Sequence, residues 1–498
     1  MRNPTKPVHS YSMKTIVTRL GGFTVLMAAT GLISLRAGAA PFQWTTTGPL
    51  NVARTDQAAA PLPDGRALVV GGENRTFLVI GSAEVYDPAT GNWALTGSLH
   101  TARRNASATL LPNGLVLVVG GVDNIGNPST TAELYDATSG TWTTTGSLHT
   151  GRYLHIATLL ADGKVLVAGG LDNVGFTATA ELYDPASGSW TVTGSLEIAR
   201  SNFTGTLLPD GEVLVAGGFD GNFNTLTSSE LYDPVSGTWS DTGNLNVARS
   251  QHTATALSSG QVLVAGGFDG GALPDAELYD PVSETWSVTD SLSNARYLHT
   301  ANLLSNGQVL VAGGLDSNIA ASATAELYDT ASGTWTDTGN LSTGRYWHTA
   351  TLLPDGEVIA AGGFDSMVNV IGTTELYDPG TSAMAKVDGR GSIDGEGDTA
   401  TFKFHATQSG ESSTGSFNYG DPAAGLAINN GKIKTLAING RSAHFSGNAR
   451  LDNGTEIKFS VRVTDKSGSG DPDTLFVSVT TGYSAGGDLT NGDIRITK

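Results

Sequence analysis

The 498-residue sequence has no cysteine. That absence excludes disulfides, thiolate metal centres and any reaction that needs a sulfur nucleophile. Charged residues are scarce, at 15%, and basic ones scarcer still, with 28 Lys and Arg against 47 Asp and Glu. Glycine, at 65, is abundant instead. Residues 1–39 hold five basic and no acidic side chains, and residues 386–498 hold 12 basic and 13 acidic ones, so a net charge of about −23 lies between them. Such a surface repels phosphate backbones and anionic lipid, which argues against nucleic-acid and membrane-surface roles. Beyond residue 39 there is also no apolar run of membrane-spanning length.

The one long apolar stretch, Leu20 to Leu35, follows Lys14 and Arg19 and leads into "RAGAA", where Ala37 and Ala39 form an A-x-A cleavage pattern. A single membrane anchor is the competing reading. The small-residue exit favours an export signal over residues 1–39, removed from the mature chain. The expected location is secreted, extracellular or periplasmic, and an exported protein without cysteine suggests a bacterial source.

From residue 41 to about residue 383 the chain is periodic. Double glycines begin at Gly71, Gly120, Gly169, Gly217, Gly266, Gly313 and Gly362, 47 to 49 residues apart. Each is preceded by 17 residues by an arginine (Arg54, Arg103, Arg152, Arg200, Arg249, Arg296, Arg345), and each arginine by ten residues by a tryptophan. A glutamate opening "ELYD" or a near variant follows each double glycine by 11 to 13 residues. All length variation falls in that connection.

Each period reads as four short strands, with "PDG"-type turns between the first two and "PASG"-type turns between the last two. Four strands of five or six residues cannot enclose a core alone, but stacked radially they bury both faces against neighbours. The double glycine, the downstream tyrosine and the tryptophan seven residues beyond it resemble the kelch repeat. That resemblance implies an all-β, seven-bladed kelch-type β-propeller over residues 40–384. The seventh period lacks its tryptophan and Trp44 is an orphan, so "FQWTTTG" is predicted to pair as the outer strand of the last blade and close the ring.

Meander topology places the tight turns at one rim; the variable connection and the arginine-bearing connection share the other. Binding is usually built on variable loops of a rigid scaffold. The periodic arginines carry two readings. They form a guanidinium ring for acidic ligands, or they pair structurally with the periodic glutamates or with Asp123, Asp172, Asp220, Asp269, Asp316 and Asp365; the near balance of numbers favours pairing. Blade-specific neighbours complete the candidate binding set: Arg152, Tyr153, Arg296, Tyr297, Arg345, Tyr346, Trp347 and Phe223, with Arg75, Phe77, Phe176 and Met367 also in the variable loops. His155, His252, His299 and His348 share one position with Gln57, Ala106 and Phe203. This reads as a packing position rather than a metal site.

No catalytic residue is assigned. Copper radical oxidases resemble this chain in "HTATLLPDGEV" but need a cysteine crosslinked to tyrosine, which is absent. A carbohydrate-active enzyme such as a kelch-type sugar epimerase is the alternative to a module that recognises a protein or glycan partner. Residues 385–498 alternate apolar and polar side chains between glycine-rich turns, the pattern of an antiparallel β-sandwich, and they look like the immunoglobulin-like modules of secreted bacterial proteins. Asp465, Asp471 and Asp473 offer calcium oxygens there, although a solvated turn explains them as well.

Overall fold

The computed structural model describes residues 42–380 and, C-terminal to them, the strands named below together with Leu451 and Asp473. The export-signal reading of residues 1–39 therefore lies outside the described residues, as do Asp465 and Asp471.

Residues 43–378 form seven four-stranded antiparallel sheets. In the third, the strands are Ile156–Leu159, Val165–Ala168, Ala180–Asp184 and Ser189–Thr193, paired in that order. The second strand of every blade is buried at all four positions. It lies between two other strands and both of its faces meet neighbouring blades, which is why it reads as a continuous apolar run and not as an alternation. Both glycines that end it adopt positive φ, for example 64° and 92° at Gly169 and Gly170, a conformation that costs other residues about 1–2 kcal/mol.

The hydrophobic core is distributed over seven blade-to-blade interfaces. One contains Leu68 and Val70 with Val116, Tyr135 and Trp142; the interface between the last and first blades contains Ile359, Ala361 and Leu376 with Ala67, Tyr86 and Trp93. Polar ties repeat at the same seams. Thr145 Oγ1 lies 2.8 Å from Tyr183 Oη, and Trp190 Nε1 donates to Gly146 O at 2.8 Å.

The predicted closure is present. Gln43–Thr46 is the fourth strand of the seventh blade, with Trp44 opposite Tyr377. Their rings lie 5.2 Å apart, as do those of Tyr86 and Trp93 in the first blade.

The C-terminal region is β throughout, but its eight strands are not two facing sheets. Ala385–Asp394, Thr399–Ser409, Ser412–Asp421, Leu426–Asn439, Ser442–Arg450, Glu456–Thr464, Thr474–Val479 and Ser484–Thr497 pair in chain order, and the last pairs with the first. This is a closed barrel. The alternation matches the inward-facing set, which includes Phe402, Phe404, Phe417, Phe445 and Phe459. It could not distinguish a sandwich from a barrel, because the inside/outside period is two in both.

Candidate functional site

The arginines stand at the rim of the variable connections, as topology requires, but beneath its surface. Each is at most 1% exposed. Arg152 donates through Nε to Thr150 O, through Nη1 to Gly169 O and Thr179 O, and through Nη2 to Thr179 Oγ1 and Glu181 Oε1. The other carboxylate oxygen of Glu181 accepts the backbone N–H of His149 at 2.8 Å. Equivalent ion pairs link Arg54 to Glu84, Arg103 to Glu133, Arg200 to Glu230, Arg249 to Glu277, Arg296 to Glu326 and Arg345 to Glu375, at 2.6 to 3.0 Å.

The set is a clamp within each blade that ties the arginine-bearing connection to the ends of the second and third strands. Arg152, Arg296 and Arg345 are therefore corrected as ligand contacts: their terminal guanidinium nitrogens are committed within the blade and solvent does not reach them. The loop aspartates do not share in this pairing. Instead they organise their own loops. Asp220 Oδ1 accepts the N–H groups of Asn222 and Asn224 at 2.8 and 2.9 Å, and such bonds hold the Asp123 carboxyl below its ordinary pKa, the Asn127 amide first among them.

The same connections then pass from the clamp into a second repeated turn. The residue two positions after each arginine (Asp56, Asn105, Leu154, Asn202, Gln251, Leu298, Trp347) has φ between 51° and 55°. This turn feeds the chain into the first strand, and the first strands of successive blades adjoin one another around the ring. Backbone bonds link these turns from blade to blade, including Asn105 N to Asp56 O at 2.9 Å and Gln251 N to Asn202 O at 2.9 Å. Burial raises the Asp56 carboxyl to a pKa of about 7, with nearby Arg104 opposing the shift and Glu73 adding to it. Arg104 and Glu73 are themselves an ion pair at 2.8 Å.

Aromatic contacts run along this rim through several blades, including Phe219 with Phe268 at 6.4 Å and Phe268 with Tyr297 at 5.2 Å. Phe77 stacks on Phe364 at 6.3 Å, Phe364 on Tyr346 at 5.4 Å, and Trp347 lies 5.7 Å from Tyr346. Tyr346 is buried and belongs to the floor; Tyr153 and Tyr297 are half-buried, whereas Trp347 is 41% exposed. Farther round, Phe176 meets Phe223 edge-on at 5.2 Å, and Phe223 is 72% exposed.

Phe223 belongs to a pattern the sequence reading missed. Three residues beyond the residue that caps each variable loop, Phe77, Phe223, Ile319 and Val368 have φ of 57° to 61°. Gly126 and Gly175 occupy the matching place in two other blades, also at positive φ. A bulky side chain in this region is a genuine outlier, yet four blades retain one and expose it. With Ile125, Val174 and Met367 they form an apolar crown. The signal that could have revealed it is the constant offset of three from Asn74, Asp220, Asp316 and Asp365.

The histidines are inter-blade ties. Nε2 of His155, His252 and His299 lies 3.0 Å from Ser107, Thr204 and Thr253 hydroxyls of the preceding blade, and that of His348 3.1 Å from Thr300. Burial lowers the pKa of His299 to about 3, with Arg296 adding to the shift. Among the described residues no group of three or more His, Cys, Asp or Glu is placed to hold a metal ion.

Comparison with known proteins agrees with this geometry. Residues 57–267 match the family model described as the KLHDC2/KLHL20/DRC7 Kelch-repeats domain, and residues 248–293 match the Kelch motif. No curated protein matches. Among solved structures, a fungal alcohol oxidase of the AA5 family in complex with copper is similar, with 15% identity, a TM-score of 0.55, and coverage of 90% of this chain and 98% of that one. At that identity the likeness is one of fold alone. Residues 57–293 of this chain are thus kelch-repeat sequence, carried on the blades of a seven-bladed β-propeller.

Proposed function

We propose that this chain is a secreted binding module whose propeller recognises a partner through the rim of variable loops, with the apolar crown and Trp347 as contacts. One observation carries the reading: four blades hold a large apolar residue, exposed, at a backbone conformation that glycine adopts in other blades. Strain of about 1–3 kcal/mol per residue is retained where function uses the side chain. A row of exposed apolar side chains suits a polypeptide surface better than a sugar, and kelch repeats generally mediate protein interaction.

The test uses backbone relief. Phe223→Gly, Ile319→Gly and Val368→Gly combined should leave stability within about 1 kcal/mol of the parent, because lost strain and added unfolded-state entropy oppose each other. On peptide and glycan arrays the same variant should lose its ligands. Unchanged binding would show that the crown is not the contact surface, and binding confined to glycans would assign the other partner class. Export is tested separately, by finding Ala40 as the first residue of the secreted protein.

A further inference from the structure

The basic residues of the propeller are almost all neutralised in place. Seven arginines are clamped to glutamates, Arg66 pairs with Asp64 at 2.5 Å, Arg104 with Glu73 and Lys164 with Asp162 at 2.9 Å. Among the described residues of the propeller, Arg75 is the one lysine or arginine with no carboxylate within ion-pair distance. Itself exposed, it lines a solvent-open pocket of about 450 Å³ at the seam between the last and first blades, with Pro49, Ala53, Thr76 and Gly372 among the other walls. That volume falls within the range of small-molecule sites, roughly 300–1,000 Å³.

The seam itself does not need an arginine. Arg75 Nε donates to Val370 O at 3.3 Å across the junction. At the next junction the corresponding residue is Asn124, whose amide bonds the backbone N–H of Val79, the residue equivalent to Val370. A short amide thus suffices there, and the arginine leaves its two terminal nitrogens surplus. The nearest clamp does not absorb them. Glu84 is paired with Arg54 and accepts the N–H groups of Asn51 and Val52 at 2.7 and 2.9 Å, which also fixes the pocket wall.

We propose that this seam pocket binds an oxyanion, the carboxylate or sulfate of a small ligand, through the Arg75 guanidinium. A planar fork of free N–H donors matches both groups in a two-point contact. An isolated positive centre in a segment of net charge near −23 is where an anion can be held locally against an unfavourable overall field. The pocket adjoins crown residue Phe77 on the same loop, but its anion contact is the Arg75 guanidinium and not an apolar side chain, so it does not depend on the loop-rim reading.

The experiment is titration of the full chain with D-glucuronate, inorganic sulfate and D-glucose, followed by calorimetry and ligand-observed NMR. Glucuronate and sulfate should bind and glucose should not. Arg75→Asn, which copies the residue at the next junction, should weaken the anions at least tenfold with no change in Tm, and Arg75→Lys should weaken them less. Equal anion affinity in Arg75→Asn, equal binding of glucose, or no anion binding by the parent would each overturn the proposal. The triple glycine variant of the crown should bind anions normally, so the two readings fail separately.

Discussion

At the scale of single residues, the periodic arginine illustrates how a constant spacing carries two kinds of meaning. The interval of 17 residues to the double glycine showed that the guanidinium is needed in every blade, but an interval does not report depth. Exposure of at most 1% and the carbonyls of the strand ends decided the matter. Glu326→Gln should expose the consequence: it leaves Arg296 buried without a counter-charge, at a cost of about 3–5 kcal/mol. The check is urea unfolding of the two chains. A loss below about 1 kcal/mol would mean that the clamp is solvated and behaves like a surface pair. The left-handed residues at the loop tips were illegible for a related reason. Nothing in the identities of Phe223 or Ile319 announces positive φ, and only the shared offset from a capping aspartate does.

At the scale of strands and blades, most of the architecture was legible, because the repeat states it seven times. The second strand could be recognised by its unbroken apolar run, the tight turns by their Asp-Gly and Ser-Gly pairs, and the closing strand by a tryptophan missing at one end and present at the other. The C-terminal barrel was legible only as alternating strands, since pairing between Ala385–Asp394 and Ser484–Thr497 is set by turns and shear that alternation does not encode. Trp44 offers the sharpest test of blade closure. It packs with Leu310, Leu327 and Tyr377, so Trp44→Ala should cost about 3–5 kcal/mol, as for other buried tryptophans. Differential scanning calorimetry would read this as a lowered Tm of the propeller transition. A negligible shift would mean that the seventh blade holds without its outer strand.

At the scale of the whole propeller, the junctions between blades carry both its core and its response to acid. His252, His299 and His348 are buried and neutral, each beside a hydroxyl of the preceding blade. In the unfolded chain they regain an ordinary pKa near 6.5, whereas in the folded chain burial holds His299 at about 3 and the other two well below the ordinary value. Between these limits the unfolded state binds the extra protons, so stability is full above pH 6.5 and falls as pH drops toward 3, by about 1.4 kcal/mol per pH unit for each histidine. His299→Gln, which copies Gln57 in the first blade, should flatten the fall of stability between pH 6 and 4 by about that amount. An unchanged slope in paired unfolding curves would mean that the histidine is already charged when folded. The ring has one further consequence, which concerns the order in which the chain is made. The segment Gln43–Thr46 is among the first parts of the fold to emerge, yet its partner Thr374–Asp378 is among the last strands of the wheel. A nascent chain must therefore carry an unmatched β-edge through the synthesis of six complete blades, and its final annealing is the longest-range and slowest step of assembly. Any factor that stalls translation before Thr374 leaves that edge open to neighbouring copies.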